Sequence, residues 1–376
     1  MPKYAVPVVD FAEWEHGSAE DRLSFAKRLG GICHRVGFFT LVGTSLDAKY
    51  QKNLLQMMKK LFDLPLKAKQ AIEKRHSPHF RGWEALGTER TNGRVDYREQ
   101  VDTWTDRSPR EPRKPYERLY GPSQYFPDKV LPGYKALTLD WRARCRYVCN
   151  ELLAALALSL GLKESHFRET FGPEETRMSL TKYIHYPGSA TGQHGVNAHK
   201  DTGFLTLLLP FAPGLEIQHL ESGEWFPVEI VPGSIVVNLG EVLQSKTGQY
   251  FVATPHRVVT TKERYSCAYF HGPSLDYPMQ TKLELDPKFA KAVEASPFHR
   301  NAKFMARKEE TEQGVGDMES EQCSTTYGEQ LWNYFRRAYP QIVESYYGGI
   351  DNDNLDAIAS AERGSGSKAD TVRARL

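Results

Sequence analysis

Apolar positions along this chain follow a helical period in the first half and a strand period in the third quarter. Val6–Phe11 reads as a short strand. Ser18-x-x-Asp21 predicts a capping box that opens an amphipathic helix running to about Arg35. Gly37–Val42 is again strand-like, and Asp47–Phe62 carries Leu54, Leu55, Met58 and Leu61 at helical spacing. Arg81–Arg98 contains Gly82, Gly87 and Gly93 without an apolar period, so an irregular segment is expected there. Loops of that length often line a site. Leu131–Leu160 predicts one long helix, with Trp141, Cys145, Val148, Leu152 and Ala155 forming a core-facing stripe that carries no chemistry.

From Ser179 the runs shorten. Leu180–His185, Thr206–Leu209, Leu215–His219, Trp225–Ile230, Ser234–Leu239, His256–Val259 and Ser266–Phe270 are β-rich, and Gly and Pro separate them. Many short strands at such spacing predict an antiparallel sandwich or barrel. Lys282–Arg307 returns to helical polarity, and Glu309–Ser324 is acidic and expected to be a mobile loop. Tyr327–Tyr346 predicts a single closing helix, and the tail from Ala361 is expected to be disordered. The chain thus divides into a helix-and-strand region 1–120, a long-helix region 121–178, a β core 179–280, a helical region 281–350 and a tail 351–376. There is no internal repeat.

A length of 376 residues allows one large domain or two small ones. The longest apolar stretch, Leu152–Leu160, is too short to cross a bilayer. The net charge of +2 comes from scattered basic residues, which argues against a nucleic-acid binder. The cysteine count is odd, 5, without CxxC spacing, and the N-terminus runs directly into Val6–Phe11. Reduced, buried thiols in a cytoplasmic monomer are therefore expected, with no nucleic-acid or membrane partner. The ending Ala374-Arg375-Leu376 offers the alternative of a peroxisomal address.

Candidate chemistry lies in the β core. His199-Lys200-Asp201 precedes the run Thr206–Leu209, and residues two apart in extended chain point to the same side. His256 opens a later run and could complete the set. Two imidazoles and one carboxylate on one face of an octahedral ion leave positions open for a co-substrate and dioxygen, which suits iron(II) oxygenases. Zinc, and hydrolysis, would also be possible by ligand type alone. Arg264 and Ser266 alternate on a presumed strand just after His256 and could hold a carboxylate, with the hydroxyl of Tyr186 assisting.

Taken together, these segments resemble the isopenicillin N synthase-like iron(II)/2-oxoglutarate-dependent oxygenases from Val6 to about Tyr347. The resemblance runs through Arg35-Val36-Gly37-Phe38-Phe39, Tyr186-Pro187, His199-Lys200-Asp201-Thr202, Gly214-Leu215-Glu216-Ile217, Pro232–Gly240, Thr254–Val258 and Arg264-x-Ser266, in the family's order. It implies an α+β, mainly β fold, a double-stranded β-helix (jelly roll) flanked by helices. It implies iron(II) on His199, Asp201 and His256, and 2-oxoglutarate on Arg264, Ser266 and Tyr186. With dioxygen, the co-substrate would be decarboxylated to succinate while a small molecule is oxidised, by default hydroxylated. Glu241 stands where an Asp is commoner in the family.

Within that family, Thr254–Pro273, Gly87-x-Glu89-x-Thr91 and Tyr327-Gly328-Glu329 with Arg337-Ala338-Tyr339-Pro340 look similar to the microbial ethylene-forming enzymes. That likeness implies Glu89, Thr91 and Arg337 as substrate contacts, although Thr202 replaces an aromatic and Tyr186 a phenylalanine. Family oxidases that do not use 2-oxoglutarate share the same ligand and Arg-x-Ser pattern and remain a second reading. A non-catalytic jelly-roll binding module is a third.

Overall fold

The computed structural model describes residues 5–88, 90–91, 94–184, 193–296 and 325–348. Strand β1 (Val8–Asp10) leads through a one-turn helix α1 (Ala12–Glu15) into α2 (Ala19–Arg35). The predicted capping box is present: the Asp21 backbone N–H donates to Ser18 Oγ at 3.2 Å, and Ser18 N–H donates to Asp21 Oδ2 at 3.0 Å. Strand β2 (Phe38–Val42), helix α3 (Ala48–Phe62, N-capped by Asp47) and the short α4 (Leu66–Gln70) follow.

Residues 81–98 are not irregular throughout. They contain β3 (Gly82–Glu84), β4 (Arg90–Thr91) and β5 (Arg94–Val95), and β6 (Arg98–Trp104) follows at once. The pattern hid β6 because Gln100 and Asp102, which read as solvent-facing, are 1% and 0% exposed. Their partners are other buried polar groups: Asp102 meets Lys74 Nζ at 2.9 Å, and Gln100 Nε2 donates to Glu84 at 2.9 Å. A strand whose interior face is polar shows no amphipathic alternation.

The predicted long helix is α5 (Tyr134–Ser159), followed by α6 (His166–Thr170). The β core consists of β7 (Glu175–Tyr183), β8 (Gln193–His199), β9 (Leu205–Pro210), β10 (Leu215–Gln218), β11 (Trp225–Pro227), β12 (Ile235–Leu239), β13 (His256–Thr260) and β14 (Arg264–Gly272). Helix α7 (Glu241–Lys246) interrupts it, and α8 (Pro287–Ala295) follows it. The closing segment is two helices, α9 (Tyr327–Ala338) and α10 (Pro340–Tyr347), rather than one. Pro340 has no N–H to continue α9, but it suits the first turn of a new helix. The expected loop 309–324 and tail lie outside the described residues.

Among the described residues, eight strands form one sheet in the order β1-β2-β12-β9-β14-β7-β6-β3, and four form a second in the order β11-β10-β13-β8. Apart from the parallel β1–β2 pair, the neighbours are antiparallel. Phe38, Tyr183 and Val236 from the large sheet pack with Val196, Ile217 and Val258 from the small one. This interleaving makes the two sheets a sandwich, the jelly roll the sequence implied. Helices α2 and α5 pack on each other, and α5 lies against β9 and β14. Cys33, Cys145, Cys149 and Cys267 are buried free thiols. No described helix is long and apolar enough to cross a membrane.

Candidate metal centre

The pairing of β8 with β13 sets His199 directly opposite His256, with ring centroids 4.3 Å apart. His199 is the last residue of β8, and Asp201 lies just beyond the strand. The bend follows at residues 202–204, after both ligands, so His199 and Asp201 reach one point from positions two apart. Asp201 Oδ1 sits 3.6 Å from His199 Nε2 and 3.7 Å from His256 Nε2. One donor atom from each of the three residues lies within 4.8 Å of the others.

Backbone and side-chain partners fix which atoms face inward. His199 Nδ1 lies 2.8 Å from the Asn197 carbonyl, and His256 Nδ1 lies 3.2 Å from that of Thr254. With each Nδ1–H donating outward, each Nε2 lone pair is left for a metal. Asn238 Nδ2, on β12, donates to Asp201 Oδ2 at 2.7 Å and leaves Oδ1 on the imidazole side. Burial works against charge on Asp201, yet the two imidazoles and Asn238 outweigh it and hold the carboxyl well below its usual range. Burial, reinforced by His199, depresses His256 to about 4. His199 is raised, because the Asp201 carboxylate overcomes a burial effect of the opposite sign. A carboxylate with at least one neutral imidazole is a fitting donor set for a first-row divalent cation.

A second buried group lies on β14. Arg264 is 2% exposed; its Nε donates to the Ala212 carbonyl at 3.3 Å, and its guanidinium lies 4.6 Å over the Tyr183 ring. Its Nη1 and Nη2 are buried and make no hydrogen bond among the described residues. Burial lowers its pKa, with Tyr183 opposing. Ser266 Oγ donates to Tyr183 Oη at 3.2 Å. Guanidinium, serine hydroxyl and phenol thus lie side by side, a donor set of the kind that can hold a carboxylate.

The structure therefore brings together His199, Asp201 and His256, and separately Arg264 and Ser266. Thr202 is half-buried immediately after Asp201, and Arg337 is exposed on α9. Tyr186 and Glu89 lie outside the described residues. Thr91 is described only as part of the backbone of β4. Sequence reasoning missed Tyr183 and Asn238. Tyr183 is tied to Arg264 by the β7–β14 register, and Asn238 lies on a strand remote in sequence from Asp201. The run Pro232–Gly240 did contain Asn238, a buried polar residue amid Val236, Val237 and Leu239, which is a usable signal.

A model of the 2OG-Fe(II) oxygenase superfamily matches residues 175–273, and one for the N-terminal part of non-haem dioxygenases in morphine synthesis matches residues 6–128. A 2-oxoglutarate-dependent dioxygenase from Gibberella zeae is 31% identical over 69% of this chain and 70% of its own length. A clavatol oxidase from Penicillium crustosum is 28% identical over 74% and 89%, respectively. A full-length Neurospora crassa protein, solved in complex with alpha-KG (2-oxoglutarate) and thymine, superposes with a TM-score of 0.62 at 20% identity, covering 76% of this chain and 97% of that one.

Proposed function

The chain belongs to the 2-oxoglutarate/iron(II) oxygenase superfamily, and from that premise we propose that Arg264, Ser266 and Tyr183 hold the distal carboxylate of 2-oxoglutarate at the iron site. The enzyme is a non-haem iron(II) dioxygenase acting on a small molecule, and His199, Asp201 and His256 would hold its metal. With dioxygen and 2-oxoglutarate, the iron supplies the oxidising chemistry, and succinate and carbon dioxide leave as co-products.

The observation that carries the clamp is the pair of buried, unfilled Nη donors of Arg264 beside the Ser266–Tyr183 hydrogen bond. The chain's own contribution follows from its geometry. Asn197 and Thr254 carbonyls hold the imidazole tautomers, Asn238 holds the carboxylate rotamer, and the guanidinium supplies fixed positive charge away from water. Names of relatives such as clavatol oxidase support a natural-product-like small molecule as prime substrate. Succinate formation from 2-oxoglutarate, measured across a panel of such compounds first selected by thermal shift with Mn(II), tests the reading. No succinate with any iron-loaded sample would favour the oxidases that do not use 2-oxoglutarate.

The finer placement near the ethylene-forming branch rests on Gly87-x-Glu89-x-Thr91 and Arg337. Headspace ethylene from 2-oxoglutarate with L-arginine tests it. Succinate without ethylene would remove it.

A further inference from the structure

Strand β8, which ends in the ligand His199, has one ladder neighbour among the described strands. It is the edge strand of β11-β10-β13-β8, and that neighbour is β13. That ladder is itself irregular at the site, with register shifts between His256 and Val258 and between Val258 and Val259. An edge strand with a broken register does not by itself fix a metal ligand to within a few tenths of an ångström.

A carboxylate from another part of the chain bonds to β8 beside the ligand. Asp96, between β5 and β6, is 0% exposed. Its Oδ1 accepts from Asn197 Nδ2 at 3.0 Å and, more weakly, from the Asn197 backbone N–H at 3.4 Å. Its Oδ2 meets Arg98 Nη2 at 3.2 Å. Asn197 is the residue whose carbonyl accepts from His199 Nδ1. A buried carboxylate is retained only where it is paired and hydrogen-bonded, and here Arg98 supplies the charge and this edge supplies the donors. The partner ligand His256 has a neutral counterpart, since Thr254 is held through its hydroxyl on the Val36 carbonyl at 2.6 Å.

We propose that Asp96 is a positioning residue for the metal centre: it is the second anchor of β8, and it sets the Asn197 carbonyl, and through it the His199 ring, in the ligating orientation. This rests on the reading that His199, Asp201 and His256 hold the metal. The reach from residue 96 to residue 197 also joins the N-terminal region to the β core at the point where the metal binds.

The test is Mn(II) binding to the full chain, followed by the electron paramagnetic resonance signal of free Mn(II), in wild type, Asp96→Ala and Asp96→Asn. Thermal midpoints of the metal-free proteins are measured alongside. Loss of such an outer partner weakens metal binding by about 10–100-fold. Asp96→Ala is expected in that range. Asp96→Asn should lose less, because its amide oxygen still accepts from Asn197 Nδ2. A merely structural Asp96 would lower the metal-free midpoint and leave the Mn(II) affinity of folded protein unchanged, which would overturn the proposal. Should Asp96→Ala fail to fold, Asp96→Asn and Asn197→Ala carry the comparison, and wild-type affinity in both would overturn it equally. Wild-type protein that does not bind Mn(II) would overturn the metal reading and this inference with it, whereas normal wild-type binding with unaltered variants overturns the inference alone.

Discussion

Replacing Arg264 by alanine removes the only cation of the proposed co-substrate clamp, and the structure allows the loss to be sized. Arg264 is 2% exposed, so its Nη donors meet a bound carboxylate out of competition with water. A hydrogen bond to a charged group contributes roughly 1.5–3 kcal/mol, against roughly 0.5–1.5 kcal/mol for a neutral one. Losing two such bonds weakens 2-oxoglutarate by roughly 3–6 kcal/mol, on the order of 150-fold to 20,000-fold at about 1.4 kcal/mol per decade. Ser266→Ala removes one hydrogen bond to the carboxylate and leaves the cation in place, so about a 12- to 150-fold effect is expected. Arg264→Lys should fall between them, because lysine keeps the charge but not the planar fork. Anaerobic calorimetry with Mn(II) gives the 2-oxoglutarate dissociation constants, and succinate formation gives KM. Metal affinity is measured as a control, because Arg264 also packs on Tyr183. Equal, small effects from Arg264→Ala and Ser266→Ala would refute the clamp and move the co-substrate elsewhere.

Three further outcomes follow from the packing. Tyr183→Phe should raise the 2-oxoglutarate KM by about 12- to 150-fold through one hydrogen bond to its carboxylate. Gly195→Ala should do more, since a Cβ there would lie 2.5 Å from Tyr183 Cδ1 and push the ring out of place; an unchanged KM in both would remove Tyr183 from the clamp. Lys74 bridges Glu84 at 2.6 Å and Asp102 at 2.9 Å in the interior, so Lys74→Met strands two buried carboxylates and should cost about 3–5 kcal/mol in urea unfolding. A loss under about 1 kcal/mol would mean that the network relaxes or takes up protons instead. Burial depresses His271 to about 3, so the folded protein keeps it neutral while the unfolded chain takes a proton below about pH 6.5. Its stabilising contribution is complete above pH 6.5 and falls with pH toward 3, by about 1–2 kcal/mol at pH 5. His271→Phe should flatten that part of the urea-midpoint profile, and an unaltered slope would assign the acid sensitivity to other groups.

The readable parts of this chain were those whose signal is local. Ser18 and Asp21 announce a helix start because a capping box lies within four consecutive residues. His199 and Asp201 stand two apart in sequence, and His256 was legible through its place in an ordered series of segments. The proline at 340 was equally local and should have ended the closing helix before it, since a missing N–H is a stop signal. What stayed hidden depends on strand pairing. Tyr183 and Arg264 meet only through the β7–β14 register, and Asp96 meets Asn197 across about a hundred residues. Strand β6 was invisible because its interior face carries Gln100 and Asp102, whose polarity is compensated by groups on other strands. Sites line the inside of this sandwich with polar residues, so the strands nearest the chemistry are those whose alternation is least readable.

Asp201→Ala decides whether His199, Asp201 and His256 form the iron site of a 2-oxoglutarate-dependent oxygenase. Asp201 supplies the sole carboxylate of the triad, with Oδ1 within 3.7 Å of both imidazole Nε2 atoms. The measurement is succinate released from 2-oxoglutarate by purified protein supplied with iron(II), wild type beside the variant. Succinate is expected from the wild type, abolished by a chelator and restored by iron(II), and none above background from Asp201→Ala. Wild-type succinate formation retained in folded Asp201→Ala would contradict that assignment.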